Sequence, residues 1–253
     1  MSLCHRIIPC LDVSDGQTVK GIKFQNLRAM GDPVEFGLAY QNQGADELMF
    51  LDISATNEGR ISMFSVVERV AANLSIPFSV GGGVNSLETA RRLLRCGADK
   101  ISINTAAVER PDLVREIAEP CGSQCCIVAI DARRGSGGWE VLTHGGRRQS
   151  GRDALEWGRQ VASLGAGEIL LTSWDQDGTR AGFDLELTRA FAEELTIPII
   201  ASGGGAGPES FEDVFLKGKA DAALAASIFH EGEWTVRALK ERLAGKVRVR
   251  YPC

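Results

Sequence analysis

Two aspartates at the ends of apolar runs, Asp12 in "PCLDV" and Asp131 in "VAIDA", are the clearest candidates for proton chemistry in this sequence of 253 residues. A lone Asp after a strand also serves simply to cap the turn that follows. One such residue in each half of the chain points instead to a facing acid/base pair, able to give and take protons on opposite sides of a bound substrate. Asp52 closes a third run and is assigned a supporting role.

A second chemistry is written in glycine. "FSVGGGVNS" at 78–86 has a relative in "IIASGGGAGPES" at 199–210, and ordered glycines cost entropy, so Gly81, Gly82 and Gly83 need a compensating reason. Glycine lets backbone N–H groups and helix N-termini approach a phosphate closely. Small polar residues complete each site: Gly83, Asn104 and Thr105 in the first half, and Gly178 and Thr179 of "DQDGTRAG", Gly204 and Ser227 in the second. One such turn would be explained by strand-to-helix sterics alone. The same turn twice predicts a ligand with two similar anionic ends. After Asp12, "DGQTVKGIKFQNLRAMG" reads as a long loop, and long ordered loops are usually functional. Lys20 or Lys23 on it is placed to close over an anion, with a solvated surface charge as the alternative reading.

The elements that must position these residues alternate between short Val- and Ile-rich runs and segments of helical periodicity, the pattern of βα units. The runs are "RIIPCLD" (6–12), "ELMFLDI" (47–53), "PFSVG" (77–81), "KISIN" (100–104), "CCIVAID" (125–131), "EILLTS" (168–173), "PIIASG" (198–203) and "AALAAS" (222–227). Helical segments between them include "DPVEFGLAYQNQG", "SLETARRLLRCG", "GRDALEWGRQVASLG" and "PESFEDVFLKG", with Asn85 as a cap answered by Glu88 and Pro208 at a first helical position. "GADELMFLD" at 44 aligns with "GAGEILLTS" at 165, and "IPFSVGGG" at 76 with "IPIIASGGG" at 197, by the same offset. The chain thus reads as two repeated (βα)4 halves, about 1–121 and 122–253, closing into a single (β/α)8 TIM barrel domain spanning 1–253, with an open doubly wound sheet as the alternative.

Composition narrows the class. A hydrophobic content of 44% is ample for a packed core, and no apolar run approaches the roughly 18 residues of a membrane span. The opening "MSLCHRIIPC" lacks the apolar region of a signal peptide, so a soluble cytoplasmic protein is expected. A formal charge of -5 gives no nucleic-acid footprint, and "GKVRVRY" reads as a solvated tail. The seven cysteines show neither zinc nor disulfide spacing and read mostly as small core residues. His5, His144 and His230 lack ligand spacing, so neither metal nor other cofactor is expected.

"RIIPCLDV", "DELMFLDI", "VGGGV", "GADKISINTAAV", "VAIDA", "GAGEILLTS" and "ADAALAASIFH" together resemble imidazole glycerol phosphate synthase, cyclase subunit, over Arg6 to His230. The resemblance implies a barrel that uses ammonia to convert N'-phosphoribulosyl formimino aminoimidazole carboxamide ribonucleotide into imidazole glycerol phosphate and aminoimidazole carboxamide ribotide in histidine biosynthesis. That substrate carries a phosphate at each end. The resemblance also places the acid and base on Asp12 and Asp131, a loop lysine on Lys20, and phosphate contacts on Gly83, Asn104 and Thr105 at one end and Asp177, Gly178, Gly204, Ala226 and Ser227 at the other. Two departures stand out: "SGGGAG" carries one glycine more than the family's run, leaving Gly204 and Gly205 as alternatives, and Trp174 replaces an aliphatic residue. Two other readings stay open, the sister phosphoribosyl formimino isomerase and a non-catalytic phosphate-binding barrel.

Strand polarity sets a second group of residues apart. Arg6, Glu47, Lys100 and Glu168 open strands and belong on the face opposite the chemistry. No cysteine sits in the Gly-flanked elbow that a hydrolase-type nucleophile needs, so a glutaminase subunit is the expected ammonia source. The four charges are read as a gate for ammonia, with Asp99 beside them facing the partner. Barrel bottoms also use such charges for stability alone.

Overall fold

In the computed structural model, residues 3–14, 16–22, 25–53 and 57–251 are described, with backbone only for 20–22, 25–29 and 57–62. Within the first half the elements are β1 (Arg6–Ser14), β2 (Gln17–Ile22), β3 (Gln25–Gly31), α1 (Pro33–Asn42), β4 (Leu48–Asp52), α2 (Asn57–Ala71), β5 (Phe78–Gly81), α3 (Leu87–Arg95), β6 (Lys100–Ile103), α4 (Thr105–Glu109) and α5 (Asp112–Cys121). There follow β7 (Cys126–Gly135), β8 (Gly138–Thr143), β9 (Arg148–Asp153), α6 (Ala154–Ser163), β10 (Glu168–Ser173), α7 (Leu185–Glu194), β11 (Ile199–Ser202), α8 (Pro208–Leu216), β12 (Ala222–Ala225), α9 (Ser227–His230) and α10 (Val236–Leu243).

Among the described residues, β1, β4, β5, β6, β7, β10, β11 and β12 pair in parallel in that order, and β12 returns to β1, closing the barrel. Side chains alternate in and out along each strand. Ile8, Met49, Ile127, Leu170, Ile200 and Leu224 fill the interior. Their neighbours Ile7, Phe50, Val128 and Leu171 face the helices. Both faces are buried, which is why the strands read as continuous apolar runs.

Four features differ from expectation. The segment after Asp12 is an antiparallel hairpin of β2 and β3, anchored by Asp12 opposite Val19, rather than a loop. A second hairpin, β8 and β9, rises from β7 with Asp131 opposite Leu142. The end "GKVRVRY" is not a free tail: Val247 and Val249 are buried, and the His5 N–H donates to the Arg248 carbonyl at 2.8 Å. The cap of α3 is Ser86, accepting from Thr89 N–H at 3.2 Å, one residue beyond Asn85. Pro208 does open α8. Of the cysteines, Cys10 and Cys126 are buried while Cys4, Cys96, Cys121 and Cys125 are half-buried, and Cys253 lies outside the described residues. No described helix is long and apolar enough to cross a membrane.

Candidate active site at the barrel mouth

The alternation that buries Ile8 and Cys10 inside the barrel also turns Asp12 inward at the C-terminal end of β1, and the alternation of Ile127 and Ala129 does the same for Asp131 on β7. Three strands lie between β1 and β7 in either direction round the closed ring, so the two carboxylates face each other across the mouth. Burial pushes Asp12 up to about 7, with the charge of Asp177 adding to the effect. Asp131 is also raised by burial, but Asn104 Nδ2 donates to its Oδ2 at 3.0 Å and holds it back, and with Asp177 again pushing upward it reaches about 6. Two chemically identical side chains are thereby separated by environment, the usual way of obtaining an acid and a base at neutral pH. Asn104 Oδ1 is buried without a hydrogen-bond partner among the described residues.

The glycine-rich turns occupy related positions. A Cβ on Gly82 (φ +94°) would fall 2.0 Å from the Asp52 carbonyl oxygen, and one on Gly203 (φ +90°) 2.7 Å from that of Ser173. Both turns therefore need glycine where the chain folds over the end of the preceding strand. Asn104 and Ala226 precede the short helices α4 and α9, and neither caps the helix with its side chain. The N–H groups that follow, beginning at Thr105 and Ser227, thus lack a side-chain cap. At the second end, Gly182 N–H donates to the Gly204 carbonyl at 2.9 Å, and a Cβ on Gly203 would lie 3.4 Å from Asp177 N. The structure so brings the segment of Asp177 and Gly178 to Gly203 and Gly204. Gly205 is fitted against Phe183, whose ring would stand 2.9 Å from a Cβ there.

Sequence reasoning did not anticipate three local features. Asp177 acts electrostatically on both aspartates as well as belonging to the second glycine-rich end. Cys10, one inward step below Asp12, is a buried thiol pushed well up by burial and by Asp12 and Asp177. Thr172, level with Asp131 on β10, is a polar inward position that the period-two pattern of "EILLTS" would have disclosed. The side chain of Lys20, on β2, and all of Lys23 lie outside the described residues.

At the opposite end, the first inward layer is ionic. Arg6 Nη1 meets Glu47 Oε2 at 2.8 Å and Glu168 Oε2 at 3.1 Å, while Lys100 Nζ meets Glu47 Oε1 at 2.8 Å and Glu168 Oε1 at 2.9 Å. Ser79 adds a hydrogen bond to Glu47 at 2.9 Å. The ring is closed and neutral. Burial pulls the Arg6 guanidinium down, yet Glu168 and Glu47 outweigh it and leave it above its ordinary value. Asp99, next to Lys100, accepts from the Phe78 N–H at 2.8 Å.

Residues 6–235 match the family described as "Histidine biosynthesis protein". Among curated relatives, imidazole glycerol phosphate synthase subunit HisF of Halalkalibacterium halodurans is 57% identical over 243 residues, covering 95% of this chain and 96% of the relative. Those of Geobacillus thermodenitrificans, 59% identical over 243 residues (95% and 96%), and Geobacillus kaustophilus, 58% over 246 residues (96% and 98%), are similar. Mouth and bottom, barrel and sequence lead to one assignment: the chain belongs to the histidine biosynthesis family, as a HisF-type cyclase subunit of imidazole glycerol phosphate synthase.

Proposed function

We propose that Asp12 and Asp131 share the proton transfers by which ammonia and a bisphosphate substrate, N'-phosphoribulosyl formimino aminoimidazole carboxamide ribonucleotide, become imidazole glycerol phosphate and aminoimidazole carboxamide ribotide. The observation that carries this reading is the pair of opposed inward carboxylates, at about 7 and about 6, lying between two glycine-rich ends. Ammonia adds to the ribulosyl carbonyl carbon and water leaves, giving an imine. The new nitrogen then closes the ring on the formimino carbon, and the amidine C–N bond breaks with both electrons going to the departing aminoimidazole nitrogen. Asp12, protonated near neutrality, supplies the proton for the leaving hydroxyl and the leaving nitrogen; Asp131, ionised, removes protons from the entering nitrogen and the closing ring. Gly83, Asn104 and Thr105 hold one phosphate and Asp177, Gly178, Gly204, Ala226 and Ser227 surround the other. Such clamping orients the reacting atoms and is worth several kcal/mol of barrier.

A glutaminase partner supplies the ammonia through the bottom of the barrel. The relatives' designation as subunits supports a partner, and the inward layer of Arg6, Glu47, Lys100 and Glu168 lies across any axial route to the mouth. Asp99 marks the partner's side. Incubating the chain with the bisphosphate and an ammonium salt, and following loss of substrate absorbance, tests the reaction. Two products support it; isomerisation without ammonia would indicate the sister isomerase, and no turnover a phosphate-binding barrel. Lys100→Ala tests the gate: glutamine-dependent synthesis with the partner should fall far more than synthesis from ammonium salt, and equal losses would leave the ring purely structural.

A further inference from the structure

The two phosphate ends are joined by a structure that the reaction itself does not require. Thr105, at the first end, accepts through Oγ1 the N–H of His144 at 2.9 Å, and His144 begins the turn between β8 and β9. His144, Gly145 and Gly146 all have positive φ, at 55°, 63° and 76°, so the turn is one tight left-handed unit. At its other side Gly146 lies so close to the indole of Trp174 that a Cβ there would fall 2.1 Å from ring atom Cη2. Trp174 in turn opens the segment that carries Asp177 and Gly178. Its own N–H donates to the Ala132 carbonyl at 2.8 Å, and Asp175 accepts the Arg134 N–H at 2.7 Å, so this segment is laced to the same strand, β7, that bears Asp131 and the hairpin.

We propose that the β8–β9 turn is a bridge coupling occupancy of the two phosphate ends, with Trp174 as the positioning residue on one side and Thr105 as the contact on the other. The inference rests on the phosphate reading given above. A threonine hydroxyl donates one hydrogen bond while accepting others. An anion taking the Thr105 proton therefore polarises the hydroxyl and strengthens its bond to His144, since chained hydrogen bonds reinforce one another. His144 and Gly146 move as a unit, and Gly146 presses on the face of the aromatic ring that sets the start of the second end. Trp174, a departure from the aliphatic residue expected on resemblance, supplies the reach that a smaller side chain would lack.

The test uses the intact 15N-labelled chain titrated with inorganic phosphate. Amides of Gly83 and Thr105 report the first end, those of Gly178 and Gly204 the second, and the Trp174 indole N–H the bridge. In the parent chain the indole resonance is expected to shift as the first end fills, with filling of one end raising affinity at the other about fivefold or more. In Trp174→Ala both ends should still bind, independently, with that enhancement lost. Trp174→Phe keeps an aromatic ring and guards against a folding defect; it should lose most of the enhancement. Two ends that titrate identically in parent and variants would overturn the bridge while leaving the phosphate sites in place. Amides at neither end responding in the parent would overturn the phosphate reading itself, and the bridge with it.

Discussion

The two ends of this barrel put the same kinds of groups to opposite uses. At the bottom, Glu47 and Glu168 each touch both Arg6 and Lys100 within 3.1 Å, so every charge in the layer is answered by its neighbours. At the mouth, Asp12 and Asp131 are just as inward but face another carboxylate, Asp177, and what Asp131 receives from the wall is the neutral amide of Asn104. Burial costs a charge heavily unless a partner offsets it. The bottom offsets it with counter-charge, whereas the mouth lets the proton affinity rise, which is what acid/base chemistry at neutral pH needs. On the proposed assignment of the reaction to the mouth, stability and reactivity are separated along the barrel axis, and variants at the two ends should fail differently.

The largest contrast is expected from the aspartates. Asp12→Asn and Asp131→Asn should each lower ammonium-dependent turnover by about 10²–10⁴-fold, because an amide cannot exchange the proton. Neither should lose stability. Both carboxyls bind protons more tightly folded than at their ordinary 3.8, so their contribution to stability is complete below 3.8 and is lost as pH rises through about 6 to 7. The asparagine variants do not titrate, so their urea midpoints should gain on the parent between pH 5 and pH 8. A midpoint that falls instead would show that the aspartates are structural.

The bottom should behave in reverse. Glu47 is 2% exposed and touches both cations, so Glu47→Gln leaves Arg6 and Lys100 under-compensated and should cost about 3–5 kcal/mol in denaturant unfolding. Ammonium-dependent turnover of the folded variant should stay within a few-fold of the parent. If stability is unchanged and turnover collapses, the division of labour between the ends is wrong.

A smaller effect sharpens the acid/base assignment. With turnover expressed per free ammonia, kcat/KM should be bell-shaped, rising as the pair loses its first proton near 6 and falling as it loses the second near 7, values that belong to the pair. Asn104→Ala removes the bond that holds Asp131 down, so the rising limb should move to higher pH and the optimum narrow. An unmoved limb would detach Asp131 from the rising step.

How much of this was legible in the sequence depends on which physical signal carried it. The eight barrel strands are buried on both faces, so "CCIVAID" and "EILLTS" advertise themselves as apolar runs, and the inward parity that brings Asp12 and Asp131 together follows from those runs. The hairpins do not advertise themselves. β9, "RQSGRD", is largely exposed and rich in Arg and Gly, and its last residues merge with a helix whose cap is Asp153, so the segment reads as the lead-in to α6. The helices α4 and α9, of five and four residues, are too short to show a helical period. Trp174 stood out only as a departure of type; its contact with Gly146 depends on a hairpin whose second strand, β9, carries no apolar residue. Closure of the four-charge ring was implied by strand starts, but the short bonds required the register that packing sets.

The smallest expected effect separates partner contact from strand capping at the bottom. Asp99 and Asp221 sit at corresponding places in the two halves and do the same local work: Asp99 Oδ2 accepts the Phe78 N–H at 2.8 Å, and Asp221 Oδ2 accepts the Ile199 N–H at 2.9 Å. Asparagine keeps a carbonyl oxygen for that bond, so Asp99→Asn and Asp221→Asn should each change stability by no more than about 0.5 kcal/mol. Both border the ionic ring, Asp99 as the chain neighbour of Lys100 and Asp221 through its carbonyl, which accepts the Arg6 N–H at 3.1 Å, so a partner seated on one side is what would tell them apart. If Asp99 faces the glutaminase subunit, losing its charge should slow association and weaken its salt dependence, the signature of a charge at an interface rim, while Asp221→Asn leaves both unchanged. Association rates measured at two salt concentrations decide it. Equal behaviour of the two variants would return Asp99 to the role its bond to Phe78 already explains, and the partner's footprint would have to be sought elsewhere on the bottom face.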